Sequence, residues 1–377
     1  MKRIGVLQVC DSLATGGMER VAVNLANALP QDRFRSHLCS TREEGQMADF
    51  VQPHVGRICL HRSGRFDVAA LRKFIRYIRD NDIQIVHAHG TSVFLSTLAS
   101  AFEPHPILLW HDHFGRNATE KRPEWLYRLA AKRIDSVIAV NQPLATWARE
   151  RLHFPAERVR YIPNFVCEPG EREESPELPG QNGFRVVCVA NFRPQKDHLN
   201  LLEAIRIVLR QIPETHLLLM GNGMETACYE EVRAKISGSG LTGHVSVLGL
   251  RKDVYAVLRA CDIGVLSSSS EGLPLALLEY GFAGIAVVAT QVGQCAEVLA
   301  GGRCGLLVQP GNPEQLAKAI LSLLRSRKRR RELGSSLNER VHRSYSQELV
   351  IKEVADMYKR ALTRSERFVD PSEHRIR

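Results

Sequence analysis

The sequence contains no run of eighteen apolar residues, so no segment reads as a membrane-spanning helix. Its uncharged stretch from Tyr280 to Ala296 is broken by Gly281, Gly284 and Gly293, and the IAVVAT centre reads as a short buried strand. At the start, MKRIGVLQVCDS has a basic opening, but its apolar run is short and meets Asp11; this reads as a first strand, not a signal peptide. The nine cysteines are odd in number and form no C-x-x-C pair. Several, such as Cys10, Cys59 and Cys188, sit in apolar strand-like contexts, which argues for reduced core thiols in a cytoplasmic protein over disulfides or a metal site. G-x-G-x-x-G is also missing, which weakens a dinucleotide reading. No aromatic-rich binding strand or helix-turn-helix pattern supports nucleic-acid binding.

What is present is an ordinary soluble composition on a long chain. Hydrophobic residues make up 44% and charged residues 24% of 377 positions. At about 100–200 residues per domain, two or three domains are expected. The net charge of +10 favours an anionic partner: a sugar nucleotide, a phospholipid surface or a nucleic acid. The basic run RSRKRRR, 325–331, is flanked by Leu321, Leu323, Leu324 and Leu333, and reads as a solvated helix end.

Short apolar runs alternate with amphipathic segments. RIGVLQV (3–9), SHLCS (36–40), RICL (57–60), IQIVHAH (83–89), ILLWH (107–111) and SVIAV (136–140) are strand-like. Residues 17–29, 68–80, 91–101, 123–133 and 142–152 are helix-like between them. The rhythm breaks at CEPGEREESPELPGQNG, 167–183, rich in Glu, Pro and Gly, which reads as a linker. It restarts with FRVVCVA (184–190), THLLLMG (215–221), HVSVLG (244–249), DIGVLS (262–267), IAVVAT (285–290) and GLLVQ (305–309), and ends in a helical tail from about 312 to 365. Alternation of this kind implies α/β architecture: two doubly wound parallel-sheet domains, with ligands at the carboxyl ends of the strands and the cleft between the domains as the default site. The expected boundaries are 1–166 for the first domain, 167–183 for the linker, 184–345 for the second domain and 366–377 for a mobile tail.

Four stretches carry chemistry. Gly16-Gly17 lies between the first strand and its helix, where bare backbone and unpaired N–H groups can approach an anion. The pairs HAHG (87–90) and HDHF (111–114) both end strands. His87 and His89 share a face by strand alternation, and His111 is placed to hydrogen-bond a substrate hydroxyl. Zinc, weighed against an active-site or structural role, is disfavoured because two His-x-His pairs lack the usual wider ligand spacing. In ANFRPQKDH (190–198), Arg193 and Lys196 flank a proline turn before a helix, a junction that suits a diphosphate. In SSSSEGLPLALLEYG (267–281), Glu271 precedes Gly272, Leu273 and Pro274, and Glu279 lies about a turn and a half inside the following helix. Paired carboxylates there can grip the hydroxyls of a sugar and a ribose; the plainer reading is that Glu279 pairs with a neighbouring cation.

EGLPLALLE with its E-x7-E spacing, the RPQK loop, YIPNFV (161–166), the GGMERV loop and VLGLRKDVYAVLRACDIGVLSSSSEG together resemble glycosyltransferase family 4, in order and over about residues 4–345. The resemblance implies a GT-B fold of two Rossmann-like domains. The C-terminal one would hold a nucleotide-sugar donor and the N-terminal one a saccharide or lipid-linked acceptor, with the last helix, 346–365, crossing back. It implies retaining, metal-independent transfer without a cofactor. Matched by position, Glu271 contacts the donor sugar, Glu279 the ribose and Lys196 the diphosphate, with Arg193, Gly272, Leu273, Pro274, Asn191 and Gly221 in the donor set. Gly16 and Gly17 approach phosphate and acceptor, and His111 matches the active-site histidine. The chain departs from the family at Ala190-Asn191, where Gly-Arg is usual; Arg193 is the candidate to supply the charge.

Other readings keep the same folds. A nucleotide-sugar epimerase needs no acceptor. A phosphorylase needs a pyridoxal-binding lysine, to which no segment points. A non-catalytic nucleotide-sugar-binding protein would bind donor without turnover. The basic segments 64–79 and 115–133 suggest contact with an anionic membrane surface from the cytoplasmic side; in the second, Arg116, Lys121, Arg122, Arg128, Lys132 and Arg133 lie beside Trp125, Leu126 and Tyr127. The plainer reading is a helix packing its apolar side into its own domain. Asn117-Ala118-Thr119 fits an N-glycosylation pattern that a cytoplasmic chain would not use.

Overall fold

The computed structural model describes residues 2–114, 122–167 and 176–369, with the side chains of 365–369 excepted. Arg116, Lys121, the Asn117-Ala118-Thr119 pattern, half of the expected linker and the end of the expected tail lie outside the described residues. The chain divides into two compact units, residues 1–167 with 347–377, and residues 168–346.

The first unit is built on a seven-stranded parallel sheet. Its strands are β1 (Ile4–Ser12), β2 (Phe34–Glu43), β3 (Gly56–Cys59), β4 (Ile83–His89), β5 (Ile107–Asp112), β6 (Ser136–Ala139) and β7 (Val159–Tyr161), in the order β3-β2-β1-β4-β5-β6-β7. Helices α1 (Gly17–Ala28), α2 (Val68–Asp80), α3 (Val93–Ala99), α4 (Glu124–Ala131) and α5 (Gln142–Arg151) connect them. Burial on both faces explains the near-continuous apolar runs of β4 and β5. Helix α2 covers the span its periodicity predicts. Asp67 caps it by accepting from Ala70 N at 2.9 Å, and Ala70, Phe74 and Ile78 form its inner stripe. Strand β7 is unanticipated, because three residues with one buried side chain give no periodic signal.

The second unit repeats the plan with six parallel strands: β8 (Arg185–Val189), β9 (His216–Met220), β10 (Val245–Gly249), β11 (Ile263–Leu266), β12 (Ala286–Thr290) and β13 (Leu306–Val308), ordered β10-β9-β8-β11-β12-β13. Its helices are α6 (His198–Leu209), α7 (Ala227–Gly238), α8 (Val254–Arg259), α9 (Leu275–Ala283), the short α10 (Cys295–Val298), α11 (Pro313–Leu324) and α12 (Arg327–Tyr345). Strand order reverses between β1 and β4 in one unit and between β8 and β11 in the other. In open α/β sheets the carboxyl edge at such a reversal is where ligands bind.

The basic run 325–331 lies at a helix end, as expected, with Arg325, Arg327, Lys328, Arg329 and Arg331 exposed; Arg330 is the exception. The run opens α12, with Ser326 as N-cap accepting from Arg329 N at 3.2 Å. Arg330 turns back to the preceding helix and donates to the carbonyls of Leu323 and Leu324 at 2.7 and 2.8 Å, while Asp262 lies 3.7 Å away. Cations suit a helix C-terminus, where carbonyls lack partners, and Arg330 serves the end of α11 from the start of α12.

A last helix, α13 (Gln347–Val369), belongs to the first unit. It buries Val350, Ile351, Val354, Ala355, Tyr358 and Ala361, an apolar stripe at three- and four-residue spacing. It runs four residues beyond the expected 365, because Arg364 to Val369 contain no glycine or proline to stop it. All nine cysteines are free thiols, seven of them buried.

Candidate active site

In the second unit the predicted residues gather at the carboxyl edge beside the β8/β11 reversal. After β8 the chain makes a 3-10 turn, Pro194–Lys196, and Asp197 adopts a left-handed φ of 48° as it caps α6. After β11 comes Ser267 to Glu271. These two loops are tied together: Ser267 Oγ donates to Lys196 O at 2.9 Å, and Ser269 N to Gln195 O at 2.8 Å. Between them the Lys196 ammonium meets Glu271 Oε1 at 2.6 Å, and Ser268 Oγ donates to the same oxygen at 2.6 Å. Residues 75 apart in sequence thus form one charge-assisted pair, with side chains 21% and 9% exposed.

Close backbone contacts fix this edge. Gly293 has φ of 49°, and a Cβ there would lie 2.2 Å from Glu271 O; Gln294 N donates to Gly272 O at 2.9 Å. Only glycine fits such a contact in that conformation. Thr290 Oγ1 donates to Ser268 O at 2.5 Å. At Gly221 a Cβ would meet Ala190 O at 2.1 Å, so this glycine serves close packing of the loops after β8 and β9. Asn191 spends its Oδ1 on Asn222 N at 3.0 Å, holding the same loop. Arg193 is exposed at the start of the 3-10 turn.

Helix α9 begins just after Pro274 and carries Glu279, 1% exposed. Its neighbour Tyr280 locks the helix in register: the phenol accepts from Val189 N at 2.8 Å and donates to Val265 O at 3.1 Å, bridging β8 and β11. Gly264 makes room, since a Cβ there would lie 2.6 Å from the Tyr280 ring. Ser267, Ser268, Thr290, Gly293, Tyr280 and Gly264 were not anticipated; only the serine run and the glycine after β12 offered a signal.

In the first unit, Gly16 is the N-cap of α1 in extended backbone, and a Cβ at Gly17 would enter open space. Neither glycine is required by φ; a Cβ at Gly16 would lie 2.1 Å from Glu19 Oε2, the movable end of a side chain. The histidines form a stack at the ends of β4 and β5, whose residues His89 and His111 stand opposite each other. Ring centroids lie 4.7 Å apart for His87 and His89, 5.2 Å for His87 and His111, and 4.0 Å for His111 and His113. Burial pushes His87 and His113 down to about 3 and holds His89 and His111 well below the ordinary imidazole range, with neighbouring histidines adding to the effect for His87, His89 and His111. At neutral pH these are uncharged rings. Their polar partners come from afar: His87 Nδ1 lies 2.6 Å from the Tyr358 hydroxyl, Gln8 Nε2 donates to that hydroxyl at 3.0 Å, and Gln8 Oε1 lies 2.9 Å from His89 Nε2.

One expected surface cation is instead buried. Arg122 has a side-chain exposure of 6% and donates to Asp112 Oδ2 at 2.8 Å. Its guanidinium lies 3.9 Å from the Trp147 ring centre, 4.5 Å from that of Phe114 and 5.3 Å from that of Tyr127. Planar, delocalised charge suits such a cage, where a solvated cation would not. Helix α4 buries Tyr127 and Ala130 and turns Trp125 and Leu129 outward, 70% and 59% exposed.

These units match known proteins in the same order. Residues 15–167 match the profile of Glycosyltransferase Family 4, and residues 183–326 that of Glycosyl transferases group 1. A phosphatidyl-myo-inositol mannosyltransferase of Mycolicibacterium smegmatis is 27% identical over 94% of this chain and 93% of its own length. An Escherichia coli galactosyltransferase named for a GlcNAc-diphosphoundecaprenol acceptor is 24% identical over 73% of this chain and 76% of its own. Among solved structures, Anabaena HepE in complex with UDP-glucose superposes with a TM-score of 0.77 at 19% identity, covering 95% of this chain and all of that one. The last likeness shows the GT-B fold, and the profile matches with the named relatives show the enzyme class. The chain belongs to glycosyltransferase family 4.

Proposed function

We propose that this glycosyltransferase moves a sugar from a nucleotide-sugar donor to a saccharide or lipid-linked saccharide, with retention of anomeric configuration and without a metal in the reaction path. The observation that carries the reading is the Lys196–Glu271 pair at 2.6 Å on the ligand edge of the second unit. Sugar–phosphate cleavage leaves negative charge on the departing diphosphate. Lys196 is the fixed cation for that charge, with Arg193 close by in sequence, while Glu271 and Glu279 accept from sugar and ribose hydroxyls. A preorganised ammonium does for the leaving group what a divalent cation does elsewhere. His111, uncharged at neutral pH, is suited to hydrogen-bond a substrate hydroxyl. The named relatives support sugar donors and lipid-linked acceptors, and the UDP-glucose complex of the Anabaena neighbour makes uridine diphosphate sugars the first to try.

The test is transfer by the full chain from a panel of nucleotide sugars, with the anomeric coupling of the product read by proton NMR. Retained configuration and no loss of rate in excess EDTA are expected. An inverted product, a metal-restored loss of rate, or sugar epimerised with no acceptor present would each overturn the corresponding part of the reading.

We further propose that the first unit rests on an anionic bilayer at its cytoplasmic face. Phe66 at 91%, Trp125 at 70%, Leu129 at 59% and Phe102 at 52% are exposed apolar side chains, and the segments 64–79 and 122–133 also carry exposed Arg65, Arg72, Arg76, Arg128 and Lys132, a composition that combines apolar insertion with charge attraction. Co-sedimentation with vesicles rich in anionic lipid is expected, reduced several-fold by Trp125→Ser with Leu129→Ser. Equal pelleting with neutral vesicles would sink the proposal.

A further inference from the structure

The histidine stack has more ring nitrogens than partners. His87 Nε2 and both ring nitrogens of His111 are buried with no hydrogen-bond partner among the described residues. Buried polar groups are nearly always satisfied, and each exception calls for a ligand, a water or an ion. One ligand atom from each of His87, His89 and His111 lies within 4.8 Å of the others. We infer that these three imidazoles form a transition-metal site of the zinc or copper class, and that the bound ion shuts the enzyme off.

The surroundings suit this chemistry. Three imidazoles with one open position are a known zinc donor set, and imidazole nitrogen suits zinc, copper and nickel rather than magnesium or calcium. A second layer of bonds orients the three rings. With His87 Nδ1–H donating to the Tyr358 hydroxyl, Nε2 keeps its lone pair; with His89 Nε2–H donating to Gln8 Oε1, Nδ1 keeps its own. His113 Nε2 now occupies that His89 atom at 3.0 Å and would give it up to the ion. Metal–nitrogen bonds of about 2.0–2.1 Å in a tetrahedral site put nitrogens roughly 3.3 Å apart, so the rings must close by about 1.5 Å or less. They stack at interplanar angles of 15° to 34° and therefore also have to turn about χ2, a soft torsion for histidine. The inhibitory consequence rests on the role proposed above for His111: a ring spent on a metal cannot reach a substrate.

The test uses the untagged full chain after chelator treatment, with Zn²⁺ or Co²⁺ alone as the probe. Equilibrium dialysis with elemental analysis is expected to find one ion per chain, and cobalt should give visible absorption of a four-coordinate nitrogen site. His87→Gln should abolish both. Tyr358→Phe, which removes the hydroxyl shared by His87 and Gln8 and no metal ligand, should weaken affinity about 10–100-fold while the circular dichroism spectrum stays native. Stoichiometric zinc should lower transfer at least tenfold, with EDTA restoring it. No stoichiometric ion, or binding indifferent to both variants, overturns the site. Binding that depends on His87 but leaves transfer unchanged overturns the inhibition and faults the role given to His111, whereas a chain that binds zinc yet transfers nothing from any donor faults the proposed reaction and leaves the metal site supported.

Discussion

Lys196→Ala is expected to lower turnover at saturating donor by roughly two to three orders of magnitude, the cost typical of removing one group aimed at charge that develops in a transition state. The fold should survive. Lys196 is partly exposed, and Glu271 keeps its bond from Ser268 Oγ when the ammonium goes. The loops stay joined by bonds that do not involve the lysine side chain, from Ser267 Oγ to Lys196 O and from Ser269 N to Gln195 O. A structural role would lower the melting temperature along with the rate; a leaving-group role lowers the rate alone. Lys196→Arg separates the two further, since a guanidinium keeps the charge but replaces a compact ammonium with a broad fork, and partial activity is expected. Steady-state kinetics with a matched circular dichroism spectrum decide the matter. Turnover within tenfold of the parent would remove Lys196 from the chemistry, and with it the main physical support for metal-free transfer.

The route from sequence to this site was open where local signals were strong. Alternating strand and helix periods gave both sheets, and α2 was readable to the residue because Asp67 caps a clear inner stripe. Lys196 and Glu271 stood out as polar groups after apolar strands, where α/β sheets put their ligands. Their direct contact was not readable. It depends on β8 and β11 being neighbours, a pairing set by topology rather than by any nearby residue. The same holds for Gln8 and Tyr358, 350 residues apart and sharing a bond. Neither has a local pattern to mark it, and Tyr358 looks like any apolar position of an amphipathic helix. Arg330 and Arg122 misled for a related reason. A cation in a basic run reads as solvated, and only the fold supplies the carbonyls of α11 for one and the ring cage for the other.

Arg122 also carries the largest stability prediction. Its pair with Asp112 is almost fully enclosed, with side chains 6% and 2% exposed. Burial pushes the Asp112 carboxyl above its ordinary range, and the guanidinium beside it only offsets part of that. Such a pair adds little net stability, because desolvation consumes most of the attraction, yet breaking it from one side is severe. Asp112→Ala leaves the guanidinium in its cage without that carboxylate and removes the acceptor for Phe114 N at 3.1 Å. A loss of about 3–5 kcal/mol is expected, which for a unit of this size lowers the melting temperature by roughly 6–20 °C. The double variant Asp112→Leu with Arg122→Met removes both charges and keeps apolar volume against Trp110, Tyr127 and Trp147. It should recover more than half of that loss, the signature of a pair whose members are costly apart and nearly neutral together. Thermal and urea unfolding of the two variants measure the difference. A double variant as unstable as Asp112→Ala would mean that specific hydrogen-bond geometry, not unbalanced charge, holds this corner of the first unit.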